Sequence, residues 1–262
     1  YMDMTERVLR AETDMLKKQE LIRVKTTGME ITEEGKMVVE YLNDYFNVYS
    51  DDHQMAQQIR EIYNLKEVHV IPGNCDTTET VKAEMGRQAG QLLEGILYED
   101  AIVSVTGGST MARVSEAMHL LPFNVFFVPA RGGLGENMVY QANTISASMA
   151  QQTGGYYTSL YVPDNVSETT YNTLMMEPSV IHTLDKIKQA NITIHGIGDA
   201  LKMAHRRHSS KEVVEKLQHH HAVAEAFGYY FDAYGQVVHK VKIIGLQLED
   251  LESKEFIFAV AG

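Results

Sequence analysis

The sequence predicts an α/β protein: a Rossmann-like, mostly parallel sheet covered by helices on both faces, preceded by part of a winged helix-turn-helix. From residue 67 onward, short continuous apolar runs alternate with amphipathic stretches, which is how parallel strands buried on both faces read. Three of those runs end in glycine-bearing turns, at the strand ends where open α/β sheets bind ligands. Before residue 50 the pattern is instead helix, small hairpin, helix.

Composition narrows the class. The 262 residues suffice to bury a core without disulfides or metals, and amount to one or two domains at about 150 residues each. Acidic residues outnumber basic ones 35 to 23, a net charge of −12, which excludes a body coated in basic surface for nucleic acid. One small DNA-contacting element on an acidic body is compatible with that charge. The single cysteine, Cys75, excludes a disulfide framework and a cysteine-based zinc site; a reducing, cytoplasmic compartment is the simplest reading. No apolar run approaches the ~20 residues of a membrane span, and Tyr1-Met2-Asp3-Met4 carries no signal peptide.

Taken in order, residues 4–20 form an amphipathic helix with Thr5 as N-cap. Val8, Leu9 and Leu16 line one side; Arg7, Arg10, Lys17 and Lys18 lie mostly on the other. Residues 21–25 and 29–31 alternate as two short strands about a Thr26-Thr27-Gly28 turn. Thr32 caps the next helix, whose apolar face is Met37, Val38, Tyr41, Leu42 and Tyr45. Residues 1–49 thus read as a winged helix-turn-helix without its first helices, and 50–66 as a linker with one short helix. The α/β domain is expected over 67–262. Its strands are expected at 68–71, 101–105, 125–128, 156–162 and 192–195, with helices near 78–97, 110–119 and 140–152, and others up to about 218. The tail reads as an antiparallel hairpin, 229–231 with 237–244, turning at 232–235. The chain closes on Ala259-Val260-Ala261-Gly262, a strand running into glycine, and reads as cut at both ends.

The sharpest local signal is Thr106-Gly107-Gly108-Ser109-Thr110, between a buried strand and a helix. Glycines admit close backbone approach, and a helix N-terminus offers free N–H groups and a positive dipole end. With two hydroxyls added, Gly107, Gly108, Ser109 and Thr110 make a candidate phosphate cradle. A tight turn with a Ser/Thr cap explains the same residues, and the loop matches neither a Walker A sequence nor the dinucleotide fingerprint. The next strand ends in Pro129-Ala130-Arg131-Gly132-Gly133, so Arg131 can reach the same anion bidentately. An ion pair with Glu136 is the plain alternative. Gln141, opening the following helix, could meet a sugar hydroxyl. The third strand end is His195-Gly196-Ile197-Gly198-Asp199; its helix carries His205-Arg206-Arg207-His208, of which one arginine can turn inward. Glu225, among small apolar residues, could accept from a sugar hydroxyl, act as a base or serve a structural ion pair. Consecutive His219-His220-His221 cannot share one helix face and have no carboxylate at ligand spacing, so no metal is expected.

Residues 106–110, 127–135 with Gln141-Ala142-Asn143-Thr144, and 195–207 together resemble the SorC family of bacterial sugar-responsive transcription regulators. Residues 4–42 and 222–240 resemble a branch that represses central glycolytic genes in Gram-positive bacteria. The resemblance covers nearly the whole chain. It implies an effector domain related to phosphosugar isomerases and deaminases. That domain binds a phosphorylated sugar, fructose 1,6-bisphosphate, and so weakens a repressor's hold on operator DNA. The effector contacts so implied are Gly107, Gly108, Ser109, Thr110, Arg131, Gln141, Arg206 and Glu225. Arg7 and Arg10, with Lys25, Thr26 and Thr27 at the wing, would touch DNA; a solvated helix face would carry the same charges. A homo-oligomer, dimer or tetramer, is expected in order to match two half-sites, with no cofactor and no membrane partner. The family's first DNA-binding helices and a lysine-bearing turn beyond the last strand fall outside this sequence. A sugar-phosphate isomerase or deaminase of the same fold, with Glu225 or Asp199 as base, is the alternative. The recognition helix and wing argue against it.

Overall fold

The computed structural model describes residues 5–26, 28–49, 51–133, 137–163 and 166–262. The chain divides into two compact units, Tyr1–Pro72 and Gly73–Gly262. In the first, α1 (Glu6–Lys18) starts at Thr5, whose hydroxyl accepts from the Val8 N–H; Glu6 in the first turn and Lys17 and Lys18 in the last complement the helix dipole. β1 (Ile22–Lys25) and β2 (Gly28–Ile31) pair antiparallel from Ile22↔Ile31 to Lys25↔Gly28. The buried Thr32 hydroxyl accepts from the Gly35 N–H at 3.0 Å, capping α2 (Glu33–Tyr49). It also donates to the Glu20 carbonyl at 2.7 Å, tying the hairpin's end to its beginning. α3 (Asp51–Ile62) follows. The strand expected at 68–71 is not formed: those residues have no regular structure. An apolar run becomes a strand only where a neighbour satisfies its backbone, and none of the described residues pairs with this one.

The second unit opens with α4 (Glu79–Ile96), whose buried Met85, Ala89 and Leu93 recur every four residues. It continues with β3 (Ile102–Val105), α5 (Ser109–Glu116), β4 (Phe126–Pro129), a 3-10 turn at Met138–Tyr140 and α6 (Ala142–Thr153). Next come β5 (Tyr156–Tyr157), α7 (Glu168–Leu174), α8 (Pro178–Gln189), β6 (Ile192–Asp199), α9 (Ala200–Arg206) and α10 (Lys211–His219). The chain then runs through β7 (Ala224–Ala226), β8 (Tyr229–Phe231), β9 (Val237–Lys240), a 3-10 segment at Leu248–Ser253 and β10 (Phe256–Ala261).

The sheet order is β5-β4-β3-β6-β7-β8-β9, with β10 also on β6. β5, β4, β3, β6 and β10 are parallel, and β7 to β9 are antiparallel. Helices flank this mostly parallel sheet. Val103, Val105, Phe127, Val128, Ile192 and Ile194 are fully buried, which is why these strands read as continuous apolar runs. Two polar residues interrupt that core, Ser104 and Thr193; opposite each other in the ladder, their hydroxyls bond at 2.7 Å.

Three expected boundaries move and one strand is added. The strand expected at 156–162 stops at Tyr157. Beyond it the Asn143 side chain accepts from the Leu160 N–H at 2.8 Å and donates to the Leu160 carbonyl at 3.1 Å, standing in for a neighbouring strand. The strand expected at 192–195 runs on to Asp199, because β10 pairs as far as Ile197 and β7 pairs Gly198 and Asp199. Residues 224–226, where the sequence pattern predicts no element, are strand β7. Finally, β9 stops at Lys240, and the chain crosses to β4, where Leu246 N–H meets the Ala130 carbonyl and Gly132 N–H the Ile244 carbonyl.

Candidate functional site

The parallel register brings three loops to one edge. Val105 pairs with Pro129 and Ile194, so the segments after β3, β4 and β6 emerge side by side. Thr106 ties two of them: its N–H donates to the Ile194 carbonyl at 3.1 Å, and its hydroxyl accepts from the Gly196 N–H at 3.2 Å. Gly107 packs so closely that a Cβ would lie 2.6 Å from the Tyr140 carbonyl oxygen. Gly108, at φ +132°, donates to that same carbonyl at 2.9 Å and turns the chain into α5.

The first intrahelical bond of α5 is Ala112 N–H to the Gly108 carbonyl. The N–H groups of Ser109, Thr110 and Met111 therefore have no acceptor among the described residues, and no side chain caps them. The half-buried Ser109 and Thr110 hydroxyls are also without partners among the described residues. Gln141, at the N-cap of α6, lies over the next loop, its Oε1 3.1 Å from where a Cβ on Gly133 would stand.

Arg131 is 7% exposed. It is held by a backbone bridge to Gly245, whose φ of +151° brings it so close that a Cβ would sit 2.3 Å from the Ala130 carbonyl. The Arg131 guanidinium makes no hydrogen bond among the described residues; its Nη1 stands 3.7 Å from Glu225 Oε1. The alternative partner Glu136 lies outside the described residues. Glu225, buried on β7, accepts on Oε1 from Arg207 Nη2 and from the Gly228 N–H, both at 2.7 Å. Of its three readings, the structural ion pair is formed.

The inward arginine is Arg207. Arg206, carried in the expected site, is exposed, with Nη1 4.0 Å from Met203 Sδ, and the structure does not bring it into this cluster. The signal was in the sequence: Ala200 and Ala204 are buried on α9, and Arg207 continues their i, i+4, i+7 stripe. Two further groups went unassigned. Tyr230 is fully buried on β8 opposite Glu225, and burial holds its hydroxyl above the usual range while the Arg207 guanidinium opposes. His195 is buried against Phe227, ring centres 4.6 Å apart, and its Nδ1 donates to the Gly196 carbonyl. Burial pushes its pKa below 6.5, and the Gly196 carbonyl and Glu225 partly oppose the shift.

In the first unit Arg7, Arg10, Lys25 and Thr26 are all exposed, while Thr27 lies outside the described residues. Arg10 pairs with Glu6 and Lys25 with Glu30, exposed contacts that cost little to break. Among the described residues no His/Cys/Asp/Glu group is arranged to hold a metal, and no helix is long and apolar enough to cross a membrane.

Comparison with known proteins bears on both units. Residues 48–262 match the Sugar-bind family of sugar-binding domains, and residues 1–46 match the CggR N-terminal DNA binding domain. The chain is 44% identical over 262 residues to the central glycolytic genes regulator of Priestia megaterium, covering 99% of this chain and 77% of the relative. The protein of that name from Bacillus subtilis is 44% identical over 260 residues, 98% of this chain and 76% of the relative. A chain from Enterococcus faecalis described as a SorC family transcriptional regulator superposes with a TM-score of 0.75 at 42% identity, over 80% of this chain and 87% of that one. The full-length sorbitol operon regulator SorC of Klebsiella pneumoniae shares the fold, with a TM-score of 0.74 at 15% identity over 98% of this chain and 89% of that one. All four of these relatives are named as regulators. A sugar-binding α/β unit behind a matched DNA-binding unit, with such relatives, makes this chain a member of the SorC family of transcriptional regulators.

Proposed function

We propose that the chain is a cytoplasmic, homo-oligomeric repressor of central glycolytic genes, and that fructose 1,6-bisphosphate bound at the start of α5 lowers its affinity for operator DNA. The names of the two relatives at 44% identity support the glycolytic role. The observation that carries the effector is the α5 N-terminus itself: three N–H groups and two hydroxyls lacking partners among the described residues, beside a buried guanidinium without a hydrogen bond. That combination suits a tetrahedral, multiply charged anion.

One phosphate takes the N–H groups of Ser109 to Met111 with both hydroxyls. Gln141 and Glu225 face the sugar, and Arg131 supplies a cation for the rest. Arg7, Arg10, Lys25, Thr26 and Thr27 contact the operator. No effector contact falls in residues 1–72, so the signal travels through the placement of subunits, on which the spacing of two operator half-sites depends.

A thermal-shift and calorimetric panel of sugar phosphates tests the effector. Ligand at 100 times its dissociation constant adds about 2.7 kcal/mol to stability. Operator affinity measured by fluorescence anisotropy should fall when fructose 1,6-bisphosphate is added. A panel in which no phosphosugar raises the melting temperature would overturn the reading.

A further inference from the structure

Two guanidinium groups face one carboxylate near the ends of the sheet strands, and they face it differently. Arg207 meets Glu225 Oε1 at 2.7 Å with 2% of its side chain exposed, and the Gly228 N–H meets the same oxygen. Arg131 stops at 3.7 Å, too far for a hydrogen bond, with all its donors unused among the described residues. The contacts also belong to different parts of the fold. Glu225 and Arg207 lie on β7 and at the end of α9, elements added beyond the parallel sheet, whereas Arg131 follows a central strand and is gripped by Gly245.

A lone carboxylate buried beside Arg131 would draw that guanidinium into a short, charge-assisted pair. Any phosphate arriving at the cradle would then have to break the pair and leave a second buried anion uncompensated. We infer that Arg207 is a positioning residue that neutralises Glu225, so that Arg131 is left available to an incoming phosphate. This rests on the effector site proposed above and names a residue outside its contact set. Arg207 itself touches no phosphate: its role is to keep the Glu225 charge from competing.

The sign of a double substitution separates this from a scaffold role. The probes are inorganic phosphate and fructose 1,6-bisphosphate, titrated into the full chain by calorimetry, with circular dichroism and melting temperature recorded for every variant. Arg207→Leu should weaken phosphate binding about tenfold or more, because Arg131 is captured by Glu225. Arg207→Leu combined with Glu225→Gln should return inorganic phosphate affinity to within about threefold of wild type, since no buried charge is left to capture Arg131 and this probe carries no sugar for Glu225 to meet. Arg207→Lys should keep most of the affinity. Glu225→Gln alone should tighten inorganic phosphate, and this serves if Arg207→Leu does not fold. A double variant as weak as Arg207→Leu, or a Glu225→Gln variant that binds inorganic phosphate no better than wild type, overturns the inference. Wild type that binds neither probe overturns the effector site itself, a separate and distinguishable failure.

Discussion

Gly107→Ala tests how tightly the cradle is built. A Cβ there would stand 2.6 Å from the Tyr140 carbonyl oxygen and 3.3 Å from the Ala142 nitrogen. Both are backbone atoms, so no side chain can swing aside. Reaching the ~3.3 Å of a tolerable C···O contact requires a separation of about 0.7 Å. The Gly108 N–H donates to that same oxygen at 2.9 Å. A shift of that size along the bond takes it to about 3.6 Å, where the hydrogen bond is lost. Overpacking costs about 1–3 kcal/mol and the hydrogen bond about 0.5–1.5 kcal/mol, together roughly 2–4 kcal/mol. At about 2–4 °C per kcal/mol for a unit of this size, the melting temperature should fall by roughly 5–15 °C. Fructose 1,6-bisphosphate affinity should fall about tenfold or more, since a loss of 1.4 kcal/mol suffices for that and the displaced N–H groups are the proposed phosphate donors. Gly95→Ala is the control: a Cβ there meets nothing within 4 Å, and the residue sits inside α4, where alanine is the better helix former. The assays are thermal unfolding by circular dichroism and calorimetric titration. A Gly107→Ala protein that melts and binds like wild type would show that the α5–α6 contact is slack and the cradle argument unsound.

Arg131→Ala should cost about 1.5–3 kcal/mol of fructose 1,6-bisphosphate affinity, as expected for a charge-assisted contact. Arg113→Ala, which removes a half-exposed arginine already paired with Glu116 and Glu79, should leave binding within about threefold; equal losses by calorimetry would remove Arg131 from the site. Fructose 1,6-bisphosphate should bind more tightly than fructose 6-phosphate at one salt concentration, because the single helix terminus serves one phosphate and the Arg131 guanidinium remains for a second. His195 is buried with its pKa held below 6.5, so the unfolded chain binds the more protons just below that value. Its contribution is complete above about pH 6.5 and drains as pH falls toward the lower folded pKa, a loss that His195→Gln should shrink in urea midpoints compared at about pH 7.5 and 5.5.

What was legible in the sequence was local or periodic. Thr5 and Thr32 cap helices because a hydroxyl one turn ahead of a free N–H needs no tertiary partner. The parallel strands showed as apolar runs because both of their faces are buried, and the glycine turns after β3 and β4 sit where backbones nearly touch. On α9 the same period points to Arg207 as the inward arginine, since it continues the buried stripe of Ala200 and Ala204.

The sequence by itself therefore determined the fold class, the capped helices, the alternation of strands with helices from β3 to β6, and the glycine-bearing loops of the candidate site. The tertiary structure alone decided that residues 68–71 form no strand, that Asn143 ends β5, and that β6 extends to Asp199. It alone decided that Glu225 meets Arg207 closely and Arg131 only at a distance. The reason is the range of the interactions. Caps, turns and amphipathic stripes are satisfied within a few residues, whereas a strand's length and a buried charge's partner depend on groups far away in sequence, such as Leu160 from Asn143 and Glu225 from Arg207 and Arg131. Nothing in a local window shows which of those groups will arrive first.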